Sequence, residues 1–351
     1  MRVVITGATG NVGTSLVELL EEDPDVEKVI GLSRRTPHVV SPKTSWRSAD
    51  LATDDITSHF EGADAVVHLA WQLRPSHRFD YLERVNVRGS QRVFEAAINA
   101  GVSTVIHASS VGVYSPGPKS PVDESHPHHG VSTSTYSRQK AAVEQQLDAY
   151  EEQHPEVRWV RMRPGLIFKR GSAEHIRRLF FGSLYPIALL RRKPLPILPN
   201  TPGLIVNVVH TTDVARALQT ALKRDVRGPF NLATGTPLDI TAMADIADVP
   251  TVPTPPKILR AIADFTWRAH LQPTEAGWID LALQTPLLDS SRADQDLDWT
   301  PVRSAEDTFA ELIDGLMHGG HLHTPPLERA KHTGTKTAVN NARVLARARM
   351  H

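Results

Sequence analysis

The chain has 351 residues with 39 basic and 39 acidic side chains, a formal net charge of +0, so no global field draws it to nucleic acid or to an anionic membrane. It contains no cysteine, which excludes disulfides, thiolate metal sites and a cysteine nucleophile. The longest apolar run, Leu179 to Leu190, is interrupted by Gly182, Ser183 and Pro186 and is too short to span a bilayer; it reads as a helix covering a substrate pocket.

Arg2 to Thr6 predicts a short β-branched strand, which leaves no room for a signal peptide and implies a cytoplasmic protein. Gly7, Gly10 and Gly13 then punctuate a turn that opens into a helix running to Glu22, where Val12, Leu16, Leu19 and Leu20 recur at helical spacing. Strand, glycine turn and helix together make a site for a dinucleotide phosphate. The glycines let the backbone approach the anion, and the helix N-terminus offers free N–H groups and partial positive charge. Glu27 to Ser33 reads as a second strand whose tip, Ser33-Arg34-Arg35, carries no carboxylate. A carboxylate there would bind the ribose 2′-hydroxyl of NAD, whereas a guanidinium takes the extra phosphate, so the tip predicts NADP(H) over NAD(H).

Trp46 to Leu51 predicts a third strand with Asp50 and Leu51 at its exit, where a carboxylate can meet the adenine amino group. The nearly all-apolar Ala65 to Ala70 predicts a fourth, buried on both faces, in which His68 is a satisfied core histidine. A long crossover helix is expected from Phe79 to Ala100, ended by Gly101, and a fifth strand over Val102 to Ser109. This alternation predicts an α/β, Rossmann-type doubly wound parallel sheet with ligand at the carboxyl ends of its strands, where Ser110 falls. The loop from Ser115 to Thr135 holds His126, His128 and His129 without a ligand geometry, so a solvated loop is expected rather than a metal site.

A helix starting near Thr135 places Tyr136 and Lys140 at i and i+4 on one face. A phenol titrates near pH 10. A cation about 5 Å away, at an effective dielectric of about 20, is worth roughly 3 kcal/mol and opposes the upward shift caused by burial. Such a tyrosine can exchange a proton with a substrate oxygen while hydride moves at the neighbouring carbon.

These motifs resemble those of the extended short-chain dehydrogenase/reductases, which include NAD(P)-dependent epimerases, dehydratases and ketoreductases. Thr6 to Gly13 is similar to the family's T-G-x-x-G-x-x-G, including Thr9, Asn11 and Val12, and Asp50-Leu51 to its adenine contact. His68-Leu69-Ala70 resembles its cofactor-lining strand end, Asn86 to Gly89 its N-V-x-G, and Ser110 to Tyr114 its serine strand end. Arg163-Pro164-Gly165 resembles its R-P-G, Val209 to Ala217 its V-H-V-x-D-V-A-x-A, and Leu297 to Pro301 its L-G-W-x-P. The resemblance implies that Tyr136 is the acid/base, that Lys140 binds the nicotinamide ribose and lowers the tyrosine pKa, and that Ser110 hydrogen-bonds the reacting oxygen. It also implies that Asn86 supports the lysine side, that Leu69, Ala70, Trp71, Arg163, Pro164 and Gly165 border the cofactor, and that the protein is a homodimer.

Ser110 is followed by Val111-Gly112 in place of the dehydratases' Asp-Glu pair, which disfavours elimination, and Trp71 stands where the family has a small residue. The expectation is an oxidoreductase acting on a secondary alcohol or ketone, a sugar-like small molecule included. The alternatives are a nucleotide-sugar epimerase with tightly bound NAD and a non-catalytic NAD(P) sensor. Residues 1–165 are expected to form the dinucleotide domain, with 205–234 returning to it, and 166–204 with 235–320 a smaller C-terminal substrate-binding lobe. In that lobe Arg177, Arg178, Arg191 and Arg192 could hold a diphosphate. Residues 321–351 read as a basic, disordered tail or a helix from Val339 to Arg349.

Overall fold

The computed structural model describes residues 1–73, 78–180, 197–272 and 274–328. The first strand, β1 (Arg2–Thr6), is β-branched and wholly buried from Val3 onward, and side chains along it alternate between faces. Val3 and Ile5 pack with Leu16, Val17 and Leu20 of helix α1 (Asn11–Glu22) and with Leu218 and Ala221 of the helix Thr211–Lys223. Val4 points the other way, into a cluster with Phe94, Val143 and Trp159. Helices therefore cover both faces, as a parallel sheet requires.

The other strands of this sheet are β2 (Lys28–Ser33), β3 (Thr44–Ser48), β4 (Ala65–His68), β5 (Thr104–Ala108), β6 (Arg158–Pro164) and β7 (Gly228–Leu232). Their order is β7-β6-β5-β4-β1-β2-β3, every pairing parallel. Chain direction across the sheet reverses between β1 and β4, and a crevice opens at such a switch point beyond the strand ends. The expected Rossmann-type sheet is present.

Two expected elements differ. The third strand starts and stops earlier than Trp46 to Leu51, and Asp50 lies beyond it in a turn where its carboxylate accepts the Ala52 N–H at 3.0 Å. The long helix is divided into Phe79–Glu83, a π-helical turn Arg84–Arg88 and α2 (Gly89–Asn99). The widened turn directs Asn86 inward, where it is buried.

The glycine turn between β1 and α1 is constrained by close approach. Gly7 has φ +72°, and a Cβ on it would lie 2.7 Å from the Ala70 backbone. A Cβ on Gly13 would lie 2.4 Å from the Gly7 carbonyl oxygen.

Beyond β6 the chain builds short pairings: Leu166–Phe168 runs parallel to Val208–His210, and Leu198–Asn200 to Thr251–Pro253. Helix Ile240–Ala247 lies before the last of these strands, and helices Pro256–Arg268, Gly277–Gln284 and Ala305–His318 come after it. The run Leu179 to Leu190 falls almost wholly outside the described residues, as do Arg191, Arg192 and the helix expected at Val339 to Arg349. The first part of the expected tail is packed: Leu327 is fully buried, and the Thr324 hydroxyl donates to the Thr9 carbonyl at 2.9 Å. Among the described residues no helix is long and apolar enough to cross a membrane.

Gly13→Ala is expected to destabilise the protein by about 1–3 kcal/mol, because the methyl group must displace backbone rather than a flexible side chain. A urea titration that left the midpoint unchanged would contradict this packing.

Candidate functional site

The amino-terminal half of the site is the turn. Gly10 caps α1 without a side-chain hydrogen bond, and the first helical turn carries no acidic residue, so its N–H groups and positive dipole end stay available to an anion. The Gly10 N–H donates to the Gly7 carbonyl at 2.9 Å, which closes the turn. Gly7 and Gly13 let the turn close against the Ala70 backbone and against itself, and the helix N-terminus it leaves without an acidic residue or side-chain cap fits a dinucleotide diphosphate. Asn11 ties the turn to neighbouring chain, its amide donating to the Ile167 carbonyl at 3.2 Å and accepting from Thr211 Oγ1 at 3.1 Å. Val12 is half-buried at the first turn of α1. Lys169 is buried against the same turn, donating to Thr14 Oγ1 at 2.7 Å and Ser15 Oγ at 2.9 Å, and burial pulls its pKa down to about 8.

At the tip of β2, Ser33 Oγ donates to the Arg35 carbonyl. The exposed Arg34 donates to Tyr81 Oη at 2.7 Å and Gln72 Oε1 at 2.6 Å, two neutral partners that leave its charge uncompensated. Arg35 reaches the Pro325 carbonyl at 3.4 Å. Leu51 is buried below α2, next to Gly89.

From β4 the chain passes directly from the phosphate turn to the reactive groups. His68 is held by Thr6 Oγ1 at 2.6 Å and Ser90 Oγ at 2.8 Å, and burial drives its pKa down to about 3, so it is a neutral core residue. Leu69 N–H bonds the Thr6 carbonyl, and the Ala70 backbone abuts Gly7. The next residue, Trp71, has its ring centroid 3.7 Å from Lys140 Nζ and stands nearly perpendicular to the Tyr136 ring, with centroids 6.2 Å apart. Asn86 holds the adjoining Gln72: its amide accepts the Gln72 N–H at 2.7 Å and donates to the Gln72 carbonyl at 3.2 Å and to Gln139 Oε1 at 2.9 Å. Asn86 thus positions the loop bearing Trp71.

Tyr136 and Lys140 lie on α3 (Thr135–Gln153). Ser134 caps this helix, and Glu275 from the carboxy-terminal region accepts the Thr135 N–H at 2.9 Å, a carboxylate at the positive end of the dipole. Gly277 lets the helix behind Glu275 come close, since a Cβ there would lie 2.5 Å from the Thr133 carbonyl oxygen. That approach stacks Trp278 on Tyr136, with centroids 4.9 Å apart and planes at 27°. Ser110 Oγ accepts the Gly112 N–H at 3.0 Å and is the hydrogen-bonding neighbour of Tyr136. Burial pushes the phenol up to about 12, and the Ser110 hydrogen bond opposes this. Lys140 does not supply the downward pull expected from its spacing. Its ammonium donates to the Ala108 carbonyl at 2.6 Å, and burial, partly offset by Glu144, lowers it to about 7.

Arg163 is 1% exposed, and its guanidinium grips Glu144 through two bonds of 3.0 and 2.7 Å while also reaching Tyr114 Oη at 3.1 Å, so its side chain holds α3. Pro164 ends β6 beside Leu232 of β7, and Gly165 admits the Asn207 backbone, 2.5 Å from where its Cβ would be. His128 Nε2 donates to the Asp148 carboxylate at 3.0 Å, and His126 contacts the Ser115 carbonyl, so these loop histidines serve the surrounding network.

Sequence reasoning misses Glu144, Trp278, Glu275 and Lys169. Glu144 had a signal, since it continues the i+4 ladder of Tyr136 and Lys140; the other three have no local one.

Residues 3–233 match the model of the NAD dependent epimerase/dehydratase family. The chain belongs to that family. Among curated relatives, L-arabinose 1-dehydrogenase (NAD(P)(+)) of Haloferax volcanii is 36% identical over 114 residues, which is 32% of this chain and 42% of that protein. UDP-glucose 4-epimerase of Mycolicibacterium smegmatis is 34% identical over 165 residues, 43% of this chain and 51% of the relative. The chain therefore spans about half the length, or less, of these two relatives. MoeE5, solved with UDP-glucuronic acid and NAD, superposes with a TM-score of 0.69 at 22% identity, covering 91% of this chain and 100% of its own. An NAD(P)-type cofactor is implied for this epimerase/dehydratase family member, in agreement with the glycine turn.

Removing the carboxylate by Glu144→Ala should cost about 3–5 kcal/mol, because it leaves Arg161 and Arg163 buried without their shared partner. Chemical denaturation measures this loss.

Proposed function

We propose that the chain is an NADP(H)-preferring oxidoreductase that interconverts a secondary alcohol and a ketone at Tyr136, on a sugar-like substrate. The observation that carries this reading is the contiguity of the two halves: the Ala70 backbone touches Gly7, and the adjacent Trp71 touches both Tyr136 and Lys140. Two consecutive residues, Ala70 and Trp71, thus touch the glycine turn and the Tyr136–Lys140 pair, which supports this reading.

When bound, the nicotinamide supplies a hydride to the carbonyl carbon, or takes one from the carbinol carbon. Tyr136 gives the matching proton to the carbonyl oxygen on reduction and removes it from the hydroxyl on oxidation. Ser110 shares a hydrogen bond with the phenol and orients the reacting oxygen. Lys140, held at the strand end by the Ala108 carbonyl and beside the Trp71 ring, is assigned to hold ribose hydroxyls of the cofactor. Arg34, whose partners are neutral, is placed to take a 2′-phosphate.

The epimerase reading is favoured by the Mycolicibacterium smegmatis relative and separates on one measurement: an epimerase retains its dinucleotide through purification, whereas the oxidoreductase exchanges it.

Tyr136→Phe is expected to lower turnover by about 10²–10⁴-fold with cofactor affinity retained. Because the phenol is raised, it is protonated through the neutral range. Alcohol oxidation should therefore climb by up to about tenfold per pH unit while reduction stays level until alkaline pH. A plateau of oxidation below pH 7 would contradict this. Arg34→Ala should weaken NADPH by about tenfold and leave NADH nearly unchanged, read by fluorescence titration.

A further inference from the structure

We infer that the substrate of this site is an uncharged cyclic alcohol or ketone with no nucleoside-diphosphate handle, and that Trp278 is the platform on which its ring is oriented. The inference rests on the proposed redox function and deepens it.

Two observations carry it. The first is the aromatic surround of the reactive hydroxyl. Trp71, Tyr136 and Trp278 are each partly exposed. Trp278 stacks on Tyr136 while Trp71 meets it near perpendicular, which gives a largely apolar border around the proton donor. Such a border favours a ring's C–H or π face. A second aromatic pair, Phe79 with Trp267 at 6.3 Å, spans from the helix that leads into Asn86 to the helix Pro256–Arg268.

The second observation is the state of the cations a diphosphate would need. Arg177 is held in a buried fork by Glu174, through bonds of 3.0 and 2.8 Å. Arg178 donates to the Pro326 carbonyl. Arg260 forks onto the buried Asp280, at 2.9 and 3.1 Å, which fastens the helix Pro256–Arg268 to the one that carries Trp278. Lys119 is spent on the carbonyls of Ile205, Ala282 and Thr285, the last two at the end of that same helix. Arg177 and Lys119 would have to abandon made partners before they could bind a diphosphate, and Arg178 and Arg260 are each tied down by a made bond. Arg191 and Arg192 lie outside the described residues.

The test uses the full-length protein saturated with NADP⁺, or with NADPH for the ketones. UDP-glucose, the free sugars L-arabinose and D-glucose, and the carbocyclic pairs cyclohexanol/cyclohexanone and 2-tetralol/2-tetralone are compared by absorbance at the nicotinamide band. Uncharged rings should exceed UDP-glucose by about tenfold or more in kcat/KM. The sugar and carbocycle arms then identify which kind of uncharged ring is used. UDP alone should not compete with the preferred ring at millimolar concentration. Trp278→Ala should raise KM for that ring by about fivefold to tenfold with little change in kcat, and Trp278→Phe should restore it, a pattern that loss of the fold would not give. Preference for UDP-glucose, competitive inhibition by UDP, or an unchanged KM in Trp278→Ala would overturn the inference while leaving the redox function in place. No hydride transfer to or from any compound, with cofactor binding demonstrated, would overturn both.

Discussion

The site depends on one buried carboxylate. Glu144, fully enclosed, accepts from Ser109 at the end of β5 and from Arg163 and Arg161 on β6, and so fastens α3 to the carboxyl ends of two strands. Burial raises the energy of its charge, yet the hydrogen bonds and charges of Arg163 and Arg161 hold its pKa below the usual carboxylate value. Arg161 and Arg163 are two apart on the strand and therefore share a face, which is what lets both reach the same helix. Tyr136 and Lys140 sit two turns and one turn before Glu144, so their positions relative to Ser110 are set by this anchor.

The electrostatics of the reactive pair are arranged for a partner that brings its own charge. Without it, the ammonium of Lys140 is desolvated against the Trp71 ring and the phenol is held neutral by burial. Both shifts run in the direction that low dielectric dictates, each group resisting its charged form. An oxidised nicotinamide would bring positive charge that favours the phenolate, and ribose hydroxyls would bring polar partners to the ammonium. Proton transfer at Tyr136 would thereby be coupled to occupancy of the neighbouring glycine turn.

Segments distant in sequence complete the site from the opposite side. Glu275 caps α3, Trp278 stacks on Tyr136, and the stretch around Thr324 crosses to the Thr9 carbonyl and to Arg35. The carboxy-terminal third thus contributes the ring that borders the phenol and part of the cover over the phosphate turn.

Local physics made much of this legible in the sequence. Glycines at positions that must let backbone pass, alternating apolar strands and a Tyr–Lys pair at helical spacing were enough to predict the doubly wound sheet, the glycine turn between β1 and α1, and the shared helix of Tyr136 and Lys140. Each is a property of a few consecutive residues. What tertiary structure decided was how charges and rings were shared between distant segments. Arg163 went to Glu144, Lys140 went to Ala108 and Trp71 rather than to the phenol, and Trp278 arrived at Tyr136 from 142 positions along the chain. Hydrogen bonding and desolvation act over a few ångströms of space, and no spacing in the sequence fixes which charges and rings will come within that range.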